Sequence, residues 1–202
     1  MRKFLIPLAF LIGVMSLGFN AYQWLGNRVD DLEPSRITEA QRLLGLGWNR
    51  PTSAPTTYLR TSDLSDDSVQ VVQEGIQAGE NYLGRYGPFR VYVIGTDVGA
   101  AHIVAEDFCS WAYGRVPGSH YEYCLESDQG TEIREIAEYA GSNAFAQHSR
   151  QLEAPNHSFV IGNPLQYGSG FGSKIALHEY VHIYQNANSV DENVFGLPLW
   201  LE

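Results

Sequence analysis

Basic residues are scarce in this chain. Its 202 residues include 13 Lys and Arg against 23 Asp and Glu, which gives a formal net charge of -10. An acidic surface repels phosphate backbones, and no run of Lys or Arg offsets the charge, so we expect no nucleic-acid partner. Internal repeats are lacking as well. The glycine-rich stretch at residues 168–172 is not followed by Gly-Lys-Ser or Gly-Lys-Thr, which excludes a phosphate-binding loop there.

Cysteine is also rare, since Cys109 and Cys124 are the only two in the chain. In an oxidising compartment they can pair, and closing a loop of this length stabilises a fold by about 3 kcal/mol. The alternative is a pair of unbonded buried thiols. The choice depends on export, and because the N-terminus favours export we expect the disulfide.

The first 25 residues are typical of an export signal rather than of a folded domain. Arg2 and Lys3 precede an apolar stretch at residues 4–19 in which Ser16 is the only polar residue. This layout predicts a cleaved signal peptide, and an uncleaved membrane anchor over residues 4–25 is the alternative. In both cases we expect the protein to act outside the cytoplasm, in the periplasm or the extracellular space.

Residues 26–66 are predicted to be a linker region with one short helix. Ser35 can cap a helix that runs to Leu44, whereas residues 51–57 are rich in Pro, Ser and Thr. The domain proper is predicted at residues 67–202. Hydrophobic residues make up 44% of the chain and aromatic residues 12%, which is enough for a buried core.

Hydrophobic spacing within this domain predicts an α+β fold. The first helix is expected to begin at Asp66 or Asp67 and to end before Gly87. The predicted elements that follow are a strand at 89–94, an irregular aromatic segment at 108–124, a helix at 131–151, a strand at 158–162, a glycine loop at 168–172 and a helix at 173–185.

The last predicted helix carries the sequence His178-Glu179-Tyr180-Val181-His182. Residues four apart lie one above the other on an α-helix, so His178 and His182 can aim two imidazole nitrogens at one point. They supply two of the three protein ligands that a catalytic zinc ion needs. Glu179 lies about 100° further round the helix, where it can reach a water bound to the metal. Zinc lowers the pKa of that water to about 7, and the carboxylate can take its proton as the water attacks a carbonyl.

The residues around this motif are apolar, which predicts a largely buried helix. Two His and one Glu would be costly there without a common partner, and a metal ion would remove that cost. A surface helix with incidental His and Glu is the alternative. The remaining histidines have no ligand spacing among themselves and are expected to be ordinary surface or loop residues: His102, His120, His148 and His157.

The motif and the segment that follows it resemble the gluzincin metallopeptidases, the group of thermolysin and the aminopeptidase-N type. The resemblance rests on residues 178–185 (His-Glu-Tyr-Val-His-Ile-Tyr-Gln) and 197–202 (Leu-Pro-Leu-Trp-Leu-Glu). In many of these enzymes Pro-x-Trp-Leu-x-Glu-Gly follows the zinc helix, and the Glu before Gly is the third ligand. The resemblance implies a zincin-like subdomain over residues 67–202, with a small mixed sheet and a buried zinc helix. It also implies that the strand at 158–162 holds an extended substrate by β-pairing.

The family pattern would put the third zinc ligand one position beyond Glu202, where the sequence ends. Because residues 197–201 are apolar and need something to pack against, we expect the chain to be a fragment of a longer protein, truncated at its C-terminus. If 202 is the true end, Glu202 is the best substitute ligand and Glu192 the next. The chain on its own would then bind zinc weakly and be nearly inactive.

The motif, the Pro198-x-Trp200 segment and the export signal together predict an exported zinc-dependent peptidase that acts on peptide or protein substrates. His178 and His182 are the expected zinc ligands, and Glu179 is the expected general base. The alternative is a non-catalytic binding domain, secreted or membrane-anchored, that retains the zinc helix as a relic. A zinc enzyme that attacks a bond other than a peptide is a third, weaker hypothesis.

Overall fold

The structure, a computed structural model, describes residues 41–115, 120–149 and 156–188. Residues 41–46 are helical, and no helix within these three ranges is both long and apolar enough to cross a membrane. The predicted signal or anchor at residues 1–25 lies outside the described residues. The other elements, in chain order, are β1 (Thr57–Arg60), α1 (Asp66–Leu83), β2 (Phe89–Ile94), α2 (Val98–Tyr113), α3 (Tyr121–Ser127), α4 (Gln129–Glu138), β3 (Ala144–Ser149), β4 (Asn156–Gly162) and α5 (Ser169–Ala187).

The four strands form one mixed sheet in the order β1-β2-β4-β3. β1, β2 and β4 are parallel, and β3 runs antiparallel to β4. β1 and β3 are therefore the edges of this sheet, whereas β4 is paired on both sides. Every residue of β4 is buried, as expected of a central strand covered on both faces. The predicted α+β class and the strands predicted at 89–94 and 158–162 are confirmed.

Helices cover both faces of the sheet, because the side chains of each strand alternate between two cores. Val91 and Val93 of β2 point to the face that α1 and α5 cover. Tyr92 and Ile94 point to the opposite face, where α2, α3 and α4 pack. The first of these cores therefore holds α5, the helix that carries the His-Glu pattern, against the sheet.

Helices α1 and α5 approach each other closely, because two glycines of α1 face α5. A Cβ atom on Gly75 would overlap the carbonyl oxygen of Ser173, and a Cβ atom on Gly79 would overlap the ring of Tyr180. The two glycines are one helical turn apart and so lie on the same side of α1. A side chain at Gly79 would push α5 outward at Tyr180, the residue next to Glu179.

A disulfide joins Cys109 of α2 to Cys124 of α3, with an S–S distance of 2.04 Å. This confirms the predicted pairing. Both cysteines are fully buried in the core that α2, α3 and α4 form with the sheet. The bond therefore fastens α3 to α2 on the face of the sheet opposite α5.

Part of the region predicted as a linker, residues 26–66, belongs to the folded domain. β1 pairs with β2 throughout its length, and the side chains of Leu43 and Trp48 are 0% and 1% exposed. Among the described residues, those from Arg42 onward cluster in one compact unit. The prediction missed β1 because it is a short edge strand whose half-buried residues give no clear apolar alternation.

The helix predicted at residues 131–151 is wrong over its second half. α4 ends at Glu138, Ala140 has a φ of 49°, and the chain from Ala144 onward forms β3. A positive φ interrupts a helix, and the sequence Gly-Ser-Asn at 141–143 favours a turn. Pairing with β4 then imposes the strand, and this long-range contact has no counterpart in the local hydrophobic spacing.

Two segments predicted as irregular are largely helical. The aromatic segment at 108–124 contributes residues 108–113 to α2 and 121–124 to α3, because Phe108, Cys109 and Ala112 recur at helical spacing toward the core. The glycine loop predicted at 168–172 is also wrong, since only Gly168, with a φ of 89°, lies outside α5. The other residues of that stretch form the first turn of the helix.

Replacing Gly79 with Ala should lower the free energy of unfolding, because the new methyl group overlaps the Tyr180 ring. We expect a loss of about 1–2 kcal/mol, since overpacking costs about 1–3 kcal/mol and Ala recovers up to about 1 kcal/mol of helix propensity. Gly170→Ala is the matched control, because Gly170 is also helical but a Cβ atom there meets nothing within 4 Å. Urea unfolding of the two variants tests the contact. Equal stability of both variants would contradict it.

Candidate metal centre

The two histidines of the motif converge on one side of α5. The Nε2 atoms of His178 and His182 are 3.2 Å apart. The two ring centroids are 4.8 Å apart, and the ring planes are nearly perpendicular, at 88°. The predicted i, i+4 pair is thus brought together, with both Nε2 atoms directed at the same small region of space.

This separation fits a shared zinc ion. Tetrahedral coordination with Zn–N distances of about 2.0–2.1 Å puts two ligand nitrogens about 3.3–3.4 Å apart. The Nε2 atoms of His178 and His182 are within about 0.2 Å of that spacing. The pair can therefore occupy two adjacent corners of a zinc coordination sphere with only a small adjustment of either ring.

His178 is exposed and His182 is half-buried, so the predicted burial of the helix holds for only one of its sides. The buried side carries Ala176, Tyr180 and Ile183. The histidines are two residues away from Tyr180, about 160–200° round the helix. The apolar neighbours in sequence therefore do not bury the imidazoles, and the pair is open to a ligand from solvent.

Glu179 is the buried member of the motif, with 9% of its surface exposed. Burial raises the pKa of its carboxyl group, while the charges of His182 and His178 and a hydrogen bond from the Ala146 N–H act in the opposite direction. Ala146 belongs to β3. The carboxylate therefore lies between the histidine pair and the edge strand of the sheet.

Tyr180 fixes the position of α5 on the sheet and its rotation about the helix axis. Its side chain is fully buried, and its hydroxyl donates a hydrogen bond to the Gly84 carbonyl at 2.7 Å and accepts one from the Tyr86 N–H at 3.3 Å. The ring also makes an edge contact with Phe89, at 5.8 Å between centroids. Because Tyr180 lies between the two histidines in sequence, these contacts set the direction in which both imidazoles point.

Gln185 belongs to the site and was not predicted. Its Oε1 lies 2.9 Å from Nδ1 of His182, on the side of the ring away from His178. The signal for it is present in the sequence, because residues three apart on a helix are neighbours. That spacing alone does not distinguish a hydrogen-bonded glutamine from one that points into solvent.

The strand predicted to hold a substrate, at residues 158–162, cannot do so by β-pairing. It forms part of β4, which is hydrogen-bonded to β2 on one side and to β3 on the other. The edge strand next to the histidine helix is β3, which the sequence analysis assigned to a helix. Among the described residues, no strand pairs with the outer edge of β3.

The other described histidine side chains have their partners elsewhere in the fold. His102 faces Glu106 at 3.5 Å on α2, and His120 packs on Tyr113 and Tyr123. His157 corrects the prediction of a surface or loop residue, because it is fully buried on β4 against Trp48. The side chain of His148 lies outside the described residues.

The structure brings the two predicted ligands together but provides no third one among the described residues. Across residues 41–115, 120–149 and 156–188, no group of three His, Cys, Asp or Glu side chains is placed to hold a metal ion. Glu192 and Glu202, the substitutes considered from the sequence, lie outside the described residues.

Compared with protein-family models, with curated proteins and with solved structures, the chain matches none of them. Function is therefore inferred from the geometry of α5 and its neighbours.

Removing the Tyr180 hydroxyl should destabilise the fold, because it leaves the buried Tyr86 N–H and the Gly84 carbonyl without their partner. We expect Tyr180→Phe to lower the free energy of unfolding by about 1–3 kcal/mol. Tyr82→Phe is the control, since Tyr82 of α1 is 89% exposed and its change should stay within about 0.5 kcal/mol. Chemical denaturation measures both. A Tyr180→Phe chain as stable as Tyr82→Phe would refute the anchoring role.

Proposed function

We propose that this protein is a zinc-dependent hydrolase that cleaves peptide bonds outside the cytoplasm. The observation that carries the proposal is the 3.2 Å separation of the two Nε2 atoms of His178 and His182, which matches two ligands of one zinc ion. The His-Glu-x-x-His spacing supports it, since the same five residues supply a carboxylate beside the ligands.

The two imidazoles hold the metal in this proposal. Bound there, zinc would act as a Lewis acid that polarises the scissile carbonyl and lowers the pKa of a water to about 7. His178 is exposed, and so a substrate carbonyl can approach the pair from solvent. The third protein ligand would come from beyond Asn188. The resemblance to gluzincins puts this ligand one position after Glu202.

Glu179 acts as the general base. It accepts the proton of the attacking water on a carboxylate oxygen as the new C–O bond forms, and it returns that proton to the leaving amine nitrogen as the C–N bond breaks. Burial raises the pKa of this carboxyl, which makes it a better proton acceptor than an exposed carboxylate. His182, His178 and the Ala146 N–H act in the opposite direction on this pKa and favour the ionised form.

The edge strand β3 supplies a binding surface for an extended peptide. β3 packs against α5, with Ala144 and Ala146 against the core that α5 forms with the sheet, so a chain paired on the outer edge of β3 would run past the histidine pair. β-Strand addition to a sheet edge gives main-chain hydrogen bonds that suit any peptide sequence. This favours a peptide or protein substrate over a small molecule.

The wider resemblance to gluzincin peptidases agrees with this proposal. A mixed sheet with one antiparallel edge strand beside the histidine helix is consistent with a zincin-like subdomain. The disulfide between Cys109 and Cys124 is consistent with an oxidising compartment, and thus with export.

A non-catalytic binding domain is the second candidate, and one observation favours it. Glu179 is buried on α5, which packs against β3, and its carboxyl can therefore have a structural rather than a catalytic role. The contact between His178 and His182 can likewise be a plain hydrogen bond between rings. The zinc helix would then be a relic that hydrolyses nothing.

In the full-length protein, Glu179→Gln should abolish hydrolysis of fluorescently labelled casein while leaving zinc binding intact, because an amide fills the same space but cannot accept the proton. Casein cleavage and zinc uptake by equilibrium dialysis are measured on the same zinc-supplemented preparations. Glu132→Gln is the matched control, since Glu132 is also a partly buried carboxyl with a raised pKa but lies on α4, across the sheet. We expect the control to cleave casein as the wild type does.

The outcomes of these measurements distinguish the zinc peptidase from the non-catalytic binding domain. Equal cleavage by Glu179→Gln and the wild type would refute the role of Glu179. Zinc uptake that requires both histidines, with no cleavage by the full-length wild type, would favour the binding domain. Zinc uptake that is unchanged when His178 and His182 are both replaced by Gln would refute the metal centre itself.

A further inference from the structure

We propose that Gln185 is a positioning residue that sets which nitrogen of His182 carries the proton, and thereby prepares that ring to bind the metal. The inference rests on the proposed function and concerns the same site. Gln185 does not touch the metal position itself. It acts through the far side of the His182 ring, 2.9 Å from Nδ1.

The chemistry of this contact fixes the position of the hydrogen. The atom of Gln185 that faces the ring is the amide oxygen Oε1, which has no hydrogen and can only accept. Nδ1 of His182 must therefore be the donor. A neutral imidazole carries one N–H, so Nε2 of His182 is left with a free lone pair, and this lone pair is what a zinc ion requires.

His178 then carries its proton on Nε2 in the metal-free protein. Nε2 of His182 is an acceptor and lies 3.2 Å from Nε2 of His178, so His178 must donate in that contact. The two rings are therefore in opposite tautomers before metal binds. His182 is already in the metal-binding form, whereas His178 has to give up its Nε2 proton when the ion enters.

The fold keeps Gln185 in place for this role. It lies one turn beyond His182 on α5, and the neighbouring Ile183 and Ala187 are both fully buried in the core. The backbone that carries Gln185 is thus fixed to the sheet, and its side chain is half-buried beside the ring. Partners of this kind, which orient a ligand from behind, typically change metal affinity by about 10- to 100-fold when they are removed.

The first test observes the tautomers directly. The full chain is labelled with ¹⁵N and studied without metal at about pH 8, above the ordinary pKa of histidine, by long-range ¹H–¹⁵N correlation of the imidazoles. His178→Gln and His182→Gln variants assign the two sets of signals. We expect Nδ1–H for His182 and Nε2–H for His178 in the wild type, and loss of the pure Nδ1–H state of His182 in Gln185→Leu.

The second test measures zinc affinity by competition with a chromogenic chelator. Gln185→Leu should weaken binding by about 10- to 100-fold, whereas Gln185→Glu, which keeps an acceptor oxygen, should bind zinc at least as well as the wild type. Gln77→Leu is the control, because the exposed Gln77 of α1 undergoes the same chemical change away from the histidines. It should bind zinc as the wild type does.

Each result either supports or overturns the inference. An Nδ1–H tautomer of His182 that persists in Gln185→Leu, or equal losses of zinc affinity in the Leu and Glu variants, would overturn it. A wild-type chain that binds no zinc would refute the proposed function instead, and the tautomers of the metal-free chain would still decide whether Gln185 sets the proton on His182.

Discussion

Helix α5 can direct two histidines at one point because its opposite side is packed against α1 and the sheet. Gly79 lets the Tyr180 ring lie directly against α1, and the Tyr180 hydroxyl then hydrogen-bonds to the backbone at Gly84 and Tyr86. These contacts fix the rotation of the helix, and the i, i+4 spacing then puts both histidines on the same face. Because the imidazoles are held by the backbone of one rigid helix, they need little rearrangement to share an ion, and this preorganisation is what a metal site requires.

The motif divides its residues between two environments. His178 faces solvent, where a substrate and an ion can reach it, while Glu179 is buried beside β3. A buried carboxylate is costly without compensation, and here the Ala146 N–H and the neighbouring histidines supply part of it. A cation at the histidine pair would add to that compensation. Metal binding would then offset part of the cost of burying Glu179 and would be coupled to the stability of the fold.

The sequence was sufficient for those parts of the site that one helix determines. The pairing of His178 and His182 follows from spacing alone, because backbone geometry fixes their relative position, and the disulfide follows from there being two cysteines and a predicted export signal. The parts set by long-range pairing were not predictable. The strand β3 was assigned to a helix, so neither its place at the sheet edge nor the contact of Ala146 with Glu179 could be foreseen. Gln185 is local, yet its spacing fits a solvent-facing side chain equally well.

The central claim is that both imidazoles bind one zinc ion. Zinc X-ray absorption of the full chain with one equivalent of zinc tests it most directly, because scattering from the imidazole rings counts the histidine ligands. We expect two imidazoles with Zn–N distances of about 2.0–2.1 Å, both lost when His178 and His182 are replaced by Gln. A first shell without imidazole, or a spectrum that this double replacement leaves unchanged, would contradict it.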